Sequence, residues 1–138
     1  MMKEFLRRQA TVRGGRDGTV EAHTSKAVFS LSKPEEMGGN PPAKTNPEEL
    51  FAAGYAACFS SSLEYLLQEA SESYEDLEVT ATTALVADGN AGFKFAVTLN
   101  PKITGLEQSV ADQFIESALA FCPYSKAIKG NVEVTIKK

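Results

Sequence analysis

Tryptophan is absent from the 138 residues, and histidine occurs once, at His23. A lone imidazole leaves no material for a histidine-rich metal centre and almost none for a cysteine–histidine nucleophile pair. Cysteine is scarce too. Cys58 and Cys122 stand far apart, without the Cys-x-x-Cys spacing of a thiol–disulfide oxidoreductase. Basic runs are missing, and the net charge is −4 at pH 7, which argues against nucleic acid or an anionic membrane surface as partner. No apolar run approaches the ~18 residues of a bilayer span. The opening Met-Met-Lys-Glu-Phe-Leu-Arg-Arg lacks the apolar stretch of a secretory signal. These absences predict a cytoplasmic protein with reduced thiols, no metal and no bound cofactor.

What remains is an ordinary globular composition, 43% apolar and 23% charged, in a length that suits one domain over 1–138. Residues 4–13 read as a strand, Gly14-Gly-Arg-Asp-Gly18 as a glycine-rich turn, and Thr19–His23 as the returning strand. Lys26–Leu31 makes a third strand. Prolines and glycines then keep Ser32–Lys44 irregular, a long loop by ordinary standards. Leu77–Ala87 and Phe93–Leu99 form a hairpin about Asp88–Gly92, with Pro101 at its fraying end. A helix from Glu107 to about Phe121, a second entered through Pro123, and a last strand over Val132–Ile136 close the chain. The class is α+β, helices on antiparallel sheet.

Between loop and hairpin lies the most telling stretch, Thr45-Asn-Pro-Glu-Glu-Leu-Phe-Ala-Ala-Gly-Tyr-Ala-Ala-Cys58-Phe59. Asn46 suits an N-cap, Pro47 the first helical position, and Glu49 the far corner of a capping box with Asn46. Beyond it the helix, running to about Ala70, is apolar on every side. One sheet covers only one of those sides, so the pattern predicts a second molecule on the other, a dimer.

The chemistry rests first on two thiols, for which the plain reading is two buried small hydrophobes. Three features oppose it. Cys122 precedes a proline-led helix start, which favours a thiolate. Gly54, Ala56 and Ala57 leave room beside Cys58. And without histidine, an activated Cys58 needs a cation or a helix terminus. Arg16, in its glycine turn, is either that cation or a solvated turn residue. A guanidinium used in this way needs a carboxylate to hold its fork. Glu49 is engaged by the capping box, so Glu48 is the freer candidate.

Together, the Thr45–Phe59 stretch, Cys122-Pro-Tyr-Ser-Lys-Ala127 and Gly14-Gly-Arg-Asp-Gly18 resemble the organic hydroperoxide resistance (Ohr) branch of the Ohr/OsmC superfamily of thiol peroxidases, over the whole chain. The resemblance implies an intertwined homodimer, antiparallel sheets packed on long central helices, with sites shared between subunits. It implies Cys58 as the peroxidatic thiol, which becomes a sulfenic acid as a hydroperoxide leaves as alcohol. Cys122 is then the resolving thiol that closes a Cys58–Cys122 disulfide, Arg16 the stabiliser of the thiolate, and Glu48 the residue that orients Arg16. The reductant implied is external, a dihydrolipoyl group on a lipoylated protein. An apolar pocket from Phe51, Tyr55 and Phe59 would favour fatty-acid or aryl hydroperoxides over hydrogen peroxide and would suit a lipoyl arm. Ten residues of helix between Glu48 and Cys58 span about 15 Å. One site can use both only if the helix entry bends or a partner subunit supplies one of them; the shared site is favoured. A ligand-binding or redox-sensing member of the superfamily is the competing expectation, and it has no need of the two thiols, Arg16 and Glu48 together.

Overall fold

The computed structural model describes residues 2–138, which divide into two compact units, one through Leu50 and one over Phe51–Lys138. In the first, β1 (Ala10–Arg13), β2 (Thr19–Ala22) and β3 (Val28–Ser30) form an antiparallel sheet in that order. Val12 lies opposite Val20, and Val20 opposite Phe29. The strand expected over residues 4–13 begins only at Ala10. The His23 N–H reaches the Gln9 carbonyl at 2.9 Å, and beyond that point β2 has turned away and offers no partner. Phe5 and Leu6 stand exposed before it.

The β1–β2 turn shows what its glycines are for. Gly14 and Gly15 have φ of 89° and 58°, in the left-handed region, and a Cβ on Gly18 would run into the Arg13 carbonyl oxygen. A single 3₁₀ turn, Gly15–Asp17, therefore carries Arg16 at its centre. The Asp17 carboxylate accepts the Lys33 N–H at 3.0 Å, tying this turn to the start of the long loop. At the loop's base Leu31 bridges Thr45, and the Lys44 N–H donates to Ser32 Oγ at 2.7 Å.

The second unit contains the long hairpin of β4 (Asp76–Ala87) and β5 (Phe93–Thr104), followed by α2 (Gln108–Phe121), α3 (Pro123–Ile128) and β6 (Glu133–Ile136). Two features depart from expectation. Strand β5 runs through Pro101, which sits opposite Val79, instead of fraying there. Strand β6 ends opposite Leu99, so at Pro101 β5 has one neighbour only and is locally an edge, where a missing N–H is tolerated. And β6 pairs parallel with β5, making this sheet mixed where an antiparallel one was expected. The crossover through α2 and α3 returns the chain to the end from which β5 started, which is what a parallel partner requires.

The helix α1 spans Pro47–Glu69, 23 residues, and supplies the core of the second unit. Tyr55, Phe59 and Leu63 pack with Val97 and Leu99 of β5, Ile115 and Ala118 of α2, and Cys122. Each large apolar side chain enclosed in this way contributes roughly 1.5–3 kcal/mol. Within the chain, burial follows one stripe, Tyr55, Phe59, Ser62, Leu63 and Leu67, while Ala53, Ala57 and Tyr65 are exposed. By length and composition α1 is apolar enough to cross a bilayer, a test that the core helix of a globular protein also passes, and its Tyr55–Leu67 stripe is packed in the core.

Candidate active site

Entry into α1 assigns its two acidic residues to different tasks. Asn46 Oδ1 accepts the Glu49 N–H at 2.8 Å, and Thr45 Oγ1 donates to the Glu49 carboxylate at 2.7 Å. The capping box is thus half formed, with Thr45 rather than the Asn46 N–H taking the Glu49 side chain. Glu48 is left for Arg16. Arg16 Nη2 lies 2.6 Å from Glu48 Oε1 and Nη1 lies 3.2 Å from Oε2. This bidentate fork fixes the plane of the guanidinium as well as its place. The two side chains are 31% and 15% exposed, so water screens the pair less than it screens an ordinary surface ion pair.

The second unit holds both thiols. Cys58 lies on α1 between Tyr55 and Phe59 and is half-buried; Cys122 is wholly buried. Cys122 is the hinge between two helices. Its N–H ends α2 on the Ala118 carbonyl at 2.8 Å, and its own carbonyl receives the Lys126 N–H of α3 at 3.0 Å. This hinge places it in the core cluster against which Cys58 packs. Burial pushes the Cys58 thiol above its ordinary value. The neighbouring Tyr124 backbone N–H opposes that rise, and the nearby Cys122 thiol adds to it.

Aromatic rings surround the thiols. Phe51 lies 4.9 Å from Phe95 and meets Tyr124 edge-on at 6.1 Å, while Tyr55 stacks on Tyr124 at 5.7 Å. The Tyr55 hydroxyl is 2.6 Å from Ser125 Oγ. Burial raises the Tyr55 phenol, against the pull of that bond, so it stays neutral. A cavity of about 460 Å³ opens beside Tyr55 and Ser125, lined also by Leu119, Val132, Val134 and Lys126. Of the three residues expected to line a pocket, Tyr55 meets this cavity and Phe51 is half-buried among the rings. Phe59 has no exposed surface and belongs to the core.

Two contributions were not foreseen. The room expected beside Gly54 is filled by the Tyr124 ring. Ser62, to which the serine run gave no role, donates its hydroxyl to the Cys58 carbonyl at 2.9 Å. Its position four residues after the cysteine was the available signal. The second unit thus holds two free thiols in an aromatic setting, and the first presents a guanidinium held in orientation by a carboxylate.

A sequence profile described as OsmC-like protein matches residues 38–137. An organic hydroperoxide resistance protein-like 2 of Staphylococcus saprophyticus is 38% identical over 138 residues, covering 99% of this chain and 97% of that protein. Among solved structures, an organic hydroperoxide resistance protein of Legionella pneumophila superposes with a TM-score of 0.91 at 43% identity, over 97% of each chain. A putative organic hydroperoxide resistance protein of Vibrio cholerae, with captopril bound in one of its active sites, gives 0.90 at 40% identity, over 98% of this chain and 92% of that one.

Proposed function

The chain belongs to the OsmC-like family, in its organic hydroperoxide resistance branch, and on that premise we propose that it is a thiol-dependent peroxidase reducing organic hydroperoxides to alcohols. The observation that carries the reading is that Cys58 and Cys122, both free thiols, meet at one core cluster. In the proposed reaction the Cys58 thiolate attacks the terminal oxygen of the hydroperoxide. The O–O bond breaks, the alcohol leaves with a proton, and Cys58 becomes a sulfenic acid. The Cys122 thiol, already within reach, then displaces water from that sulfur to form a disulfide. Without such a partner a sulfenic acid is exposed to further oxidation. A dihydrolipoyl dithiol, carried by a lipoylated protein, reduces the disulfide and is itself oxidised to the cyclic disulfide.

Arg16 and Glu48 enter because burial raises the Cys58 thiol, so the nucleophile needs a cation to be present as thiolate at neutral pH. A guanidinium locked in a carboxylate fork serves that purpose and also polarises the peroxide. The unbroken course of α1 through Glu48 and Cys58 favours the shared arrangement, in which Arg16 and Glu48 serve Cys58 of the partner subunit in a homodimer. Exposed apolar residues that a partner would cover, among them Phe5, Val28 and Phe29, support it. Phe51 and Tyr55 favour apolar fatty-acid or aryl substrates. The setting proposed is the cytoplasm, where a thiol cycle is sustained by reductants.

The test is to mix reduced protein with cumene or tert-butyl hydroperoxide and a dihydrolipoyl donor and to follow peroxide loss. Catalytic consumption with that donor, and little with glutathione, is the expected result. Binding of hydroperoxide without turnover would transfer the protein to the ligand-binding reading. For Arg16→Ala, the Cys58 titration midpoint is expected to rise by about 1–3 pH units, the effect of losing an opposite charge close by. Thiolate absorbance followed against pH reads it, and an unmoved midpoint removes Arg16 from the site.

A further inference from the structure

Gly14, Gly15 and Gly18 let the turn of Arg16 form, but they cannot hold it, because glycine is the residue with the most backbone freedom to lose. On the C-terminal side of Arg16, hydrogen bonds run from the turn to the short segment 31–33. The Gly18 carbonyl accepts the Leu31 N–H at 2.8 Å, and the Asp17 carboxylate accepts the Lys33 N–H at 3.0 Å. Lys33 Nζ, 3.7 Å from the same carboxylate, adds a charge contact. Ser32, between them, faces the other way. Its N–H donates to the Thr45 carbonyl at 3.1 Å, and its hydroxyl oxygen accepts the Lys44 N–H at 2.7 Å. Thr45 precedes Asn46, which caps α1, and Glu48 follows in the first turn of that helix. Leu31 is only 4% exposed, so the segment is itself well seated.

We infer that Asp17 is a positioning residue for Arg16: through the Lys33 N–H it fastens the turn to residues 31–33, whose other edge is fastened to the entry of α1, and so sets the guanidinium against Glu48. The segment is a clamp with the cation on one side and its carboxylate on the other. A bidentate fork has need of one, because it tolerates neither a shift nor a tilt of its partners, as a point charge would. Without the Asp17 acceptor the turn keeps the Gly18 bond, one residue farther from Arg16, and motion about its glycines competes with the fork. The Arg16–Glu48 pair still meets water, at 31% and 15% exposure, so its own attraction does not replace the lost anchor. The place of Asp17 in catalysis rests on Arg16 serving Cys58, as proposed above, but the orientation is read from the guanidinium itself and needs no turnover.

The experiment follows the Arg16 side chain by nitrogen NMR in isotope-labelled protein, with Arg16→Lys to assign its signals. A guanidinium held in a bidentate fork rotates slowly about its Cζ–Nε bond and shows distinct Nη signals, whereas a loose one shows them averaged. Wild type, Asp17→Ala and Asp17→Asn are compared, each with its circular dichroism spectrum and its kcat/KM for cumene hydroperoxide. Distinct signals are expected in the wild type. In Asp17→Ala the rotation should quicken about tenfold and kcat/KM fall about tenfold, the lower end of what a hydrogen bond to a charged group is worth. Asp17→Asn keeps a side-chain oxygen for the Lys33 N–H and should stay within about threefold of the wild type, a neutral acceptor being roughly half as strong. A merely stabilising role would lower the melting temperature of Asp17→Ala and leave the Arg16 signals as they were. Averaged signals in the wild type overturn the assignment, as do distinct ones in a folded Asp17→Ala, or an Asn variant as impaired as the Ala variant. Should Asp17→Ala not fold, Lys33→Pro deletes the same bond from the donor side, and distinct Arg16 signals there overturn the assignment. A wild type that turns over no hydroperoxide, while its Arg16 signals still average on Asp17→Ala substitution, would sink the peroxidase reading and leave this one standing.

Discussion

Cys58→Ser is expected to give a folded protein that consumes no organic hydroperoxide beyond the background rate. Replacing sulfur by oxygen preserves the shape of the side chain, so α1 and its packing persist. What disappears is the nucleophile. An alkoxide is not populated at neutral pH, and no histidine stands ready to deprotonate a serine, since His23 is exposed and sits 2.6 Å from Thr11 Oγ1. Removal of an enzyme's nucleophile costs on the order of 10³-fold or more. Peroxide loss in a coupled assay reads the activity, and the circular dichroism spectrum certifies the fold. A Cys58→Ser protein that keeps its consumption would place the peroxide chemistry elsewhere and remove the reason for assigning roles to Cys122, Arg16 and Glu48.

Much of the frame behind that expectation is visible in the chain itself, because it depends on local chemistry. Asn46 and Pro47 announce the start of α1, and Asn46 does accept the Glu49 N–H. Gly14, Gly15 and Gly18 announce a turn that other residues would strain. The exclusion of Glu49 by capping leads to Glu48, and the bidentate contact with Arg16 is there. What stays hidden depends on neighbours remote in sequence. Alanine, glycine and cysteine around α1 mark no face as inner, so only packing against β5 and α2 selects the Tyr55–Leu67 stripe. Phe59 reads equally well as pocket or core for the same reason. Pro101 looks like a strand end until the early finish of β6 makes that stretch an edge. And Gly54 reads as open space beside a thiol, because nothing local says that the side chain filling it comes from Tyr124.

Cys122→Ser is expected to stop the cycle after one event. Hydroperoxide should convert Cys58 to a sulfenic acid, one per chain, and no disulfide should follow. With stoichiometric hydroperoxide each molecule then releases a single equivalent of alcohol, and steady turnover with the dihydrolipoyl donor vanishes. Excess peroxide drives the unprotected sulfenic acid on to sulfinic and sulfonic acids, which thiols do not restore. The substitution also places a hydroxyl where the thiol is wholly enclosed by the core, at a cost of about 1–3 kcal/mol if it finds no partner. Cys122→Ala separates the two effects, since it removes the resolving thiol without burying a polar group. Both variants should trap one dimedone adduct per chain by intact mass, with Cys122→Ala the less destabilised of the two when the Ser hydroxyl goes unpaired. Sustained turnover in both would mean that the dithiol donor attacks the Cys58 sulfenic acid directly. The meeting of the two cysteines would then be a feature of the packed core, and Cys122 would owe its place at the α2–α3 hinge to the fold alone.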